Sequence, residues 1–370
     1  MKDLIRANAA LLFVGLASFV MMGAGQSLYG PALPAFGRAL SLTPAQAGWL
    51  VSAHWVGCAI GVALMYLYGA RATPRIAIGL MVLGAAALAM AAGLWVTFAG
   101  AVMFGMGYGI STTVFNPRIL RAFGARGTAM VSLLNASFGI GAIAAPLVFV
   151  GLGSNPALAF ALITGFGALI WLGAGRSGGS AATPSGTPTG SFRPMLAFQL
   201  FAVAGIGIEA TLVGLGPSAL IRAGLSESSA SQMLSAFFVA FLGARVALIF
   251  TAHLVAPFTL YIGAMMLAAL SATLAALVSP GLFFVSLGLS AGLFFPGFYV
   301  AASRVMGDDP RTPAIIIAAG LVGGILAPIV LSPVIAQFGG AVFFGLLAGV
   351  AALSAVCALI VRHAIPALQR

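Results

Sequence analysis

Apolar residues fill most of the chain in long runs, and short polar connections separate one run from the next. Twelve of these runs are long enough to cross a bilayer as helices, since about 20 apolar residues span its hydrocarbon core. Their approximate limits are 9–31, 45–69, 74–93, 96–120, 127–150, 156–175, 194–221, 229–252, 256–278, 281–304, 312–336 and 340–362. The pattern therefore predicts an all-α integral membrane protein with twelve transmembrane helices.

One longer polar stretch divides the runs into two groups of six. Residues 176–193 are rich in Gly, Ser, Thr and Pro, which is typical of a flexible linker. We predict an N-terminal six-helix bundle over 1–175, a linker over 176–193 and a C-terminal six-helix bundle over 194–370. No polar cleavage region follows the first run, so we expect a transmembrane helix there rather than a cleaved signal peptide.

The two groups of runs repeat each other. Gly105 matches Gly288, 183 positions later, and Arg121 matches Arg304 at the same offset. Parallel repeats of six spans, related by an axis along the membrane normal, occur in secondary transporters built from two halves. We therefore predict two pseudo-symmetric six-helix bundles.

The charged residues add only the orientation of the predicted helices in the membrane. The chain is 62% hydrophobic and 6% charged, whereas soluble domains carry about 25% charged residues. The net charge of +11 comes from basic residues scattered singly between apolar runs, which disfavours a nucleic-acid partner. Under the positive-inside rule both termini and the linker lie in the cytoplasm, with Arg38 and Arg222 on the other side. We expect a monomer in a bacterial-type inner membrane.

Glu209 is the acidic residue that the sequence places deepest in the membrane. The chain has five acidic residues, and only this one lies near the middle of an apolar run, the one from 194 to 221. A charge at bilayer depth costs about 2.5–3.5 kcal/mol on insertion scales, and such residues usually face a cavity or a partner. Its counterpart at the 183-residue offset is Gln26. Glu209 could bind protons or substrate, or it could be a structural acid hydrogen-bonded between helices.

Arg245, in the eighth run, is the second charged candidate. It could bind an anionic or hydroxylated substrate, pair with Glu209, or extend its side chain to the cytoplasmic surface. In the paired case, protonation of Glu209 would release the arginine. The pair would then act as a coupling switch.

Five neutral polar residues inside apolar runs complete the set. Gln26 and Tyr29, in the first run, are candidates for hydrogen bonding to a polar substrate. Asn116 and Asn135 are further substrate-binding candidates, but interhelical hydrogen bonding suits them equally well. His54 could relay protons, or it could be a satisfied polar residue at a helix interface.

Other chemistries find little support in the sequence. Cys58 and Cys357 lie in apolar runs and are expected to be small core residues. The three histidines show no metal-ligand spacing, and the Gly-x-Gly patterns follow no strand that would make them a dinucleotide site. A single deep carboxylate leaves a two-carboxylate hydrolase without its second group. We expect no cofactor and no enzymatic activity.

Four segments resemble helices of one transporter family. "MFGMGYGISTTVFNP" (103–117) and "MVSLLNASFGIGAIAAPL" (130–147) are similar to the fourth and fifth helices of the fucose-permease-like branch of the major facilitator superfamily. "AGIGIEATLVGLGPSAL" (204–220) and "FLGARVALIF" (241–250) resemble its seventh and eighth helices. The resemblance implies the major facilitator fold, with alternating access to a central site.

Three positions depart from that family's patterns. Ala70 stands near the slot of the usual acidic residue between the second and third helices. Ala101 stands near the arginine of drug antiporters, and Gln26 stands where sugar permeases often carry an acid. These departures leave Glu209 as the main candidate for proton coupling, with His54 second.

The functional prediction is a secondary active transporter for a small polar organic solute, a sugar or a carboxylate. Proton coupling through Glu209 is the accompanying hypothesis. One alternative is an exporter of amphipathic compounds, which the Met- and Phe-rich helices would suit. Another is a non-transporting receptor or assembly factor, whose mark would be a sealed apolar centre.

Overall fold

The computed structural model describes residues 2–68, 73–177, 193–251, 253–307, 311–365 and 368. Nearly all of these residues are helical. The α-helices are α1 Lys2–Ala7, α2 Ala9–Leu40, α3 Pro44–Tyr68, α4 Pro74–Met90, α5 Leu94–Phe123, α6 Gly127–Gly151, α7 Pro156–Ala174, α8 Leu196–Arg222, α9 Glu227–Thr251, α10 Pro257–Leu277, α11 Pro280–Met306 and α12 Arg311–Ala364.

The helices supply the predicted spans. Ten of them are long and apolar enough to cross a membrane, and α4 is a shorter apolar helix of 17 residues. The 54 residues of α12 hold two spans, because Gly339 adopts a non-helical conformation with φ of 84° between them. Within the described ranges the count therefore reaches twelve, and the all-α membrane fold is confirmed.

The first transmembrane helix is longer than predicted. The sequence places its end near residue 31, but α2 continues to Leu40 through Pro31 and Pro34. A proline removes one backbone hydrogen bond, and membrane-spanning helices tolerate it because neighbouring groups compensate. The helix ends where Ser41 turns into the left-handed region (φ 51°) and donates its N–H to the carbonyl of Gly37.

The chain forms two compact units, residues 1–184 and 185–370, which we call the N-terminal and C-terminal units. The predicted linker, 176–193, contains the division between them, but residues 178–192 lie outside the described part of the chain. Ala70, noted for its departure from the family pattern, also lies outside it.

In the N-terminal unit, two glycines of α5 bring this helix against α3. A side chain on Gly105 would collide with the carbonyl oxygen of His54, and one on Gly109 would collide with that of Cys58. The two backbones therefore touch where His54 and Cys58 leave α3. Small residues allow this close approach between helices in a membrane.

The C-terminal unit contains the same crossing between α9 and α11. A side chain on Gly288 would meet the carbonyl oxygen of Phe237, and one on Gly292 would meet that of Phe241. Each of these four residues lies 183 positions after its counterpart in the N-terminal unit. The repeat predicted from the sequence is therefore confirmed in the backbone contacts inside each unit.

A tyrosine links three helices of the C-terminal unit. The Tyr261 hydroxyl of α10 lies 2.8 Å from the Ser354 hydroxyl of α12 and 3.3 Å from the carbonyl oxygen of Phe201 in α8. All three residues are buried. This tyrosine is an example of a buried polar side chain whose hydrogen bonds are satisfied.

Candidate functional site

Glu209 and Arg245 are two ionisable residues inside the C-terminal unit that lie close enough to interact electrostatically. Glu209 lies in α8 and Arg245 in α9, and both side chains are partly buried. The positive guanidinium of Arg245 interacts electrostatically with the Glu209 carboxylate. The structure therefore brings together two residues that lie 36 positions apart in the sequence.

The position of Arg245 is set by two further contacts. Its Nε donates a hydrogen bond of 3.3 Å to the carbonyl oxygen of Gly292 in α11. Its guanidinium carbon lies 4.3 Å from the centre of the Phe241 ring, one helical turn earlier in α9. Stacking on an aromatic face stabilises a cation electrostatically. The arginine is therefore held at the α9–α11 crossing rather than extended to the surface.

Gly292 is what makes the first of these contacts accessible. A side chain at this position would meet the Phe241 carbonyl oxygen and would lie 3.2 Å from the Ala244 side chain. Because the glycine lets α11 approach α9, its carbonyl oxygen comes within reach of the arginine.

In the N-terminal unit, Gln26, Tyr29 and His54 are buried. Their side chains are 5%, 2% and 1% exposed. The ring centres of Tyr29 and His54 lie 5.1 Å apart, and His54 also lies 5.2 Å from the Tyr108 ring and 5.5 Å from that of Trp55. The structure therefore brings Tyr29 of α2 next to His54 of α3, and Gln26 precedes Tyr29 by three positions on the same helix.

Each of these three residues has a polar atom without a hydrogen-bond partner among the described residues: Gln26 Oε1, Tyr29 Oη and His54 Nδ1. The other ring nitrogen of the histidine, Nε2, lies 3.7 Å from the Cys58 sulfur. Leaving a buried polar group unsatisfied costs about 1–3 kcal/mol. Three such atoms, in two residues of one α2 turn and in the α3 residue beside Tyr29, require an explanation.

The two asparagine candidates lie elsewhere in the N-terminal unit. Asn116 in α5 is partly buried, and its Oδ1 has no hydrogen-bond partner within the described ranges. Asn135 in α6 is exposed, and its Nδ2 donates a 2.8 Å hydrogen bond to the carbonyl of Val131 in the same helix. The structure does not add Asn135 to the Gln26–Tyr29–His54 group.

Two clefts of the N-terminal unit are not lined by any of these candidates. A groove of about 380 Å³ near the end of α2 is lined by residues that include Phe36 and Asn155. A smaller cleft of about 160 Å³ is apolar and includes Leu28 and Phe166. In the part of the chain that the structure describes, His, Cys, Asp and Glu form no group of three or more that could hold a metal ion.

Sequence reasoning missed four residues at these sites. Cys58 was interpreted only as a small core residue, and Tyr108 and Phe241 were not considered. The i, i+4 spacings of His54 with Cys58 and of Phe241 with Arg245 place each pair on one helix face, so this signal was present in the sequence. The contribution of the Gly292 carbonyl could not be read from side-chain chemistry.

Comparison with solved structures identifies transporters of the same fold. A D-xylose–proton symporter superposes with a TM-score of 0.77 at 14% identity, over 94% of this chain and 96% of that one. The Major Facilitator Superfamily transporter FucP, in the outward conformation, gives 0.64 at 19% identity, over 94% of this chain and 98% of that one. A POT family transporter bound to 5-aminolevulinic acid gives 0.74 at 13% identity, over 96% of both chains. Identities this low establish the fold alone.

Sequence comparison identifies the family. No curated protein matches the chain by sequence. The sequence profile of the Major Facilitator Superfamily, in contrast, matches residues 15–315, which is more than half of the chain. With twelve spans and an internal repeat already described, this match shows that the protein belongs to the Major Facilitator Superfamily of membrane transporters.

Proposed function

We propose that this protein is a secondary active transporter for a small polar organic solute, a sugar or a carboxylate, with proton coupling through Glu209. The observation that carries the proposal is the interaction of Glu209 with an arginine that is already held by Phe241 and Gly292. Ionisable residues at membrane depth usually serve ion or substrate pathways.

The coupling step follows from the charges of the pair. An ionised Glu209 attracts the Arg245 guanidinium, and a protonated one does not. Since Nε of Arg245 donates to Gly292, the terminal guanidinium nitrogens are the donors that would exchange between Glu209 and a solute. Protonation of Glu209 would then favour solute binding at Arg245. Proton and solute would cross the membrane together.

The remaining candidates have supporting roles in this proposal. Gln26, Tyr29, Asn116 and Asn135 would contribute neutral hydrogen bonds to the solute, and His54 is the second candidate for proton transfer. A receptor or assembly factor of the same fold would be expected to lack such groups. The partly buried charges of the C-terminal unit therefore favour transport over that alternative.

The proposed topology follows from the basic residues. Both termini and the linker over 176–193 are placed in the cytoplasm, between bundles over 1–175 and 194–370. We further propose that the protein works as a monomer in an inner membrane. The likeness to a D-xylose–proton symporter supports testing sugars and a proton gradient first.

The proposal is tested with purified protein in two assays. A thermal-shift screen against sugars, carboxylates and hydrophobic drugs should give a hit among the first two classes, because a bound ligand stabilises the native state. In proteoliposomes, a pH gradient that is acidic outside should then drive uptake of that solute. Hits only among hydrophobic drugs would favour an exporter. Uptake that is the same with and without the pH gradient would contradict proton coupling.

The role of Arg245 is tested separately with Arg245→Ala. We expect at least a tenfold loss of affinity for the solute, since one charge-assisted hydrogen-bonding group is removed. Arg222→Ala, which removes an exposed arginine at the end of α8, is the matched control and should bind normally. Unchanged affinity in Arg245→Ala would remove this residue from the binding site.

A further inference from the structure

The polar side chains of Tyr29 and His54 are not required by the fold. The residues 183 positions after Tyr29 and His54 are Leu212 and Phe237, and both are buried apolar side chains. Phe237 occupies the same glycine crossing in the C-terminal unit that His54 occupies in the N-terminal unit. The same packing is therefore achieved with apolar side chains, without leaving polar atoms unsatisfied.

The three unpartnered atoms have complementary hydrogen-bonding capacities. Gln26 Oε1 accepts, and the Tyr29 hydroxyl both donates and accepts. When the Cys58 thiol donates to Nε2 of His54, the ring proton is on Nδ1, which then donates. One acceptor and two donors match an alcohol hydroxyl, which donates one hydrogen bond and accepts two.

We propose that Gln26, Tyr29 and His54 form a binding site for a hydroxyl group of an uncharged polyhydroxylated solute, such as a pentose or a polyol. This inference rests on the proposed transport function, and it narrows the solute from any small polar compound to a hydroxylated one. The site belongs to the N-terminal unit and contains no charged group of its own among these three residues.

The site is closed in this conformation, because the three atoms are out of contact with solvent. The helix packing indicates where the site would open. Within the unit, α2 packs mainly against α6 and α7, whereas α3 packs mainly against α5. The contact between Tyr29 and His54 therefore bridges two groups of helices. Separation of these two groups of helices would expose the polar atoms and leave the Gly105 crossing between α3 and α5 intact.

Because the site is closed, removing its polar atoms should not lower the stability of the protein. Tyr29→Phe removes a hydroxyl that has no partner within the described residues, and His54→Phe copies the residue found at Phe237. Neither change should lower the melting temperature in detergent, and both should raise it or leave it unchanged. A clear drop in Tyr29→Phe would show that the hydroxyl already holds a partner such as a bound water, and would overturn the proposal.

Binding is measured through Trp55, whose ring lies next to His54. The other three tryptophans, Trp49, Trp95 and Trp171, are replaced by Phe, and fluorescence is titrated with D-xylose, L-fucose, xylitol and glycerol. At least one probe should give a saturable change, and Tyr29→Phe and His54→Phe should each weaken it about tenfold or more. Ser290→Ala removes a buried hydroxyl of the C-terminal unit that has no hydrogen-bond partner in the described part of the chain. It is the control and should bind normally.

Failure of this site and failure of the transport proposal give different results. Glu209→Gln should keep the Trp55 response, because Glu209 is not one of the three residues of the hydroxyl site. A normal response without gradient-driven uptake would contradict coupling and leave the site intact. Two results would overturn the hydroxyl site alone. One is a solute that is transported but gives no Trp55 response. The other is a solute affinity in Tyr29→Phe and His54→Phe that equals that of the unmodified protein.

Discussion

The α3–α5 crossing of the N-terminal unit and the α9–α11 crossing of the C-terminal unit have the same backbone and different chemistry. In both, paired glycines press one helix against the carbonyl oxygens of the other. At the contact the first unit presents His54 and Cys58, and the second presents Phe237 and Phe241. One turn beyond Phe241 stands Arg245, whereas its counterpart is the apolar Val62.

This difference teaches how a duplicated framework can carry two functions. The C-terminal unit holds the interacting charges, Glu209 and Arg245, with the Phe241 ring lying against the arginine. The N-terminal unit has Gln26 where the acid would be, and adds neutral groups around His54. In our proposal, the charged unit couples transport to protons and the neutral unit recognises hydroxyl groups.

The largest expected effect on stability comes from the glycine crossing that both units contain. Gly105→Val and Gly288→Val should each destabilise the protein by about 3 kcal/mol, because the new side chain meets a backbone oxygen that cannot move away. Thermal unfolding and the yield of monodisperse protein measure the effect. Gly243→Val, at a position with open space around it, is the control and should unfold normally. A large effect in only one unit would break the structural equivalence of the two crossings.

A smaller effect should be confined to the charged unit. Phe241→Leu removes the ring that lies against Arg245, an interaction worth about 0.5–2 kcal/mol. Solute affinity should fall about three- to tenfold, as measured by the ligand concentration that gives half of the thermal shift. Phe238→Leu removes a neighbouring buried ring for which no contact with Arg245 is described, and serves as the control. An equal loss of affinity in both variants would indicate a general packing defect.

The smallest effect compares one tyrosine from each unit. Tyr261→Phe loses the contacts with Ser354 and Phe201 and should lower the unfolding free energy by about 0.6 kcal/mol, the average for such hydrogen bonds in membrane proteins. Tyr29→Phe should not lower it. Side-by-side melting curves in one detergent are sufficient. If both variants lost stability equally, Tyr29 would have to be regarded as satisfied, like Tyr261.

The sequence predicts the framework well because the membrane imposes a strong constraint. Apolar runs located the spans, and the matching of Gly105 with Gly288 revealed the repeat before any contact was known. The end of α2 was predicted wrongly, because Pro31 and Pro34 are common helix breakers in water but are tolerated inside this helix.

The candidate sites were only partly predictable. Glu209 and Arg245 stood out as charges in apolar runs, but their proximity depends on how α8 and α9 pack. The Gly292 carbonyl was hidden, since a backbone group has no sequence signal. The spacing of Cys58 from His54 was visible, but a cysteine in an apolar run usually is a core residue. Among the described residues, the Tyr29 hydroxyl and Nδ1 of His54 lack a hydrogen-bond partner, and this is likewise a property of packing alone.

The most direct test of the central claim compares two transport modes in Glu209→Gln. This change removes the titratable group and keeps a similar shape. We predict that proteoliposomes with this variant exchange labelled for unlabelled solute across the membrane, but do not accumulate solute under a pH gradient. Glu227→Gln, the same substitution at the start of α9, should accumulate solute normally. Gradient-driven accumulation by Glu209→Gln at the level of the unmodified protein would contradict the account.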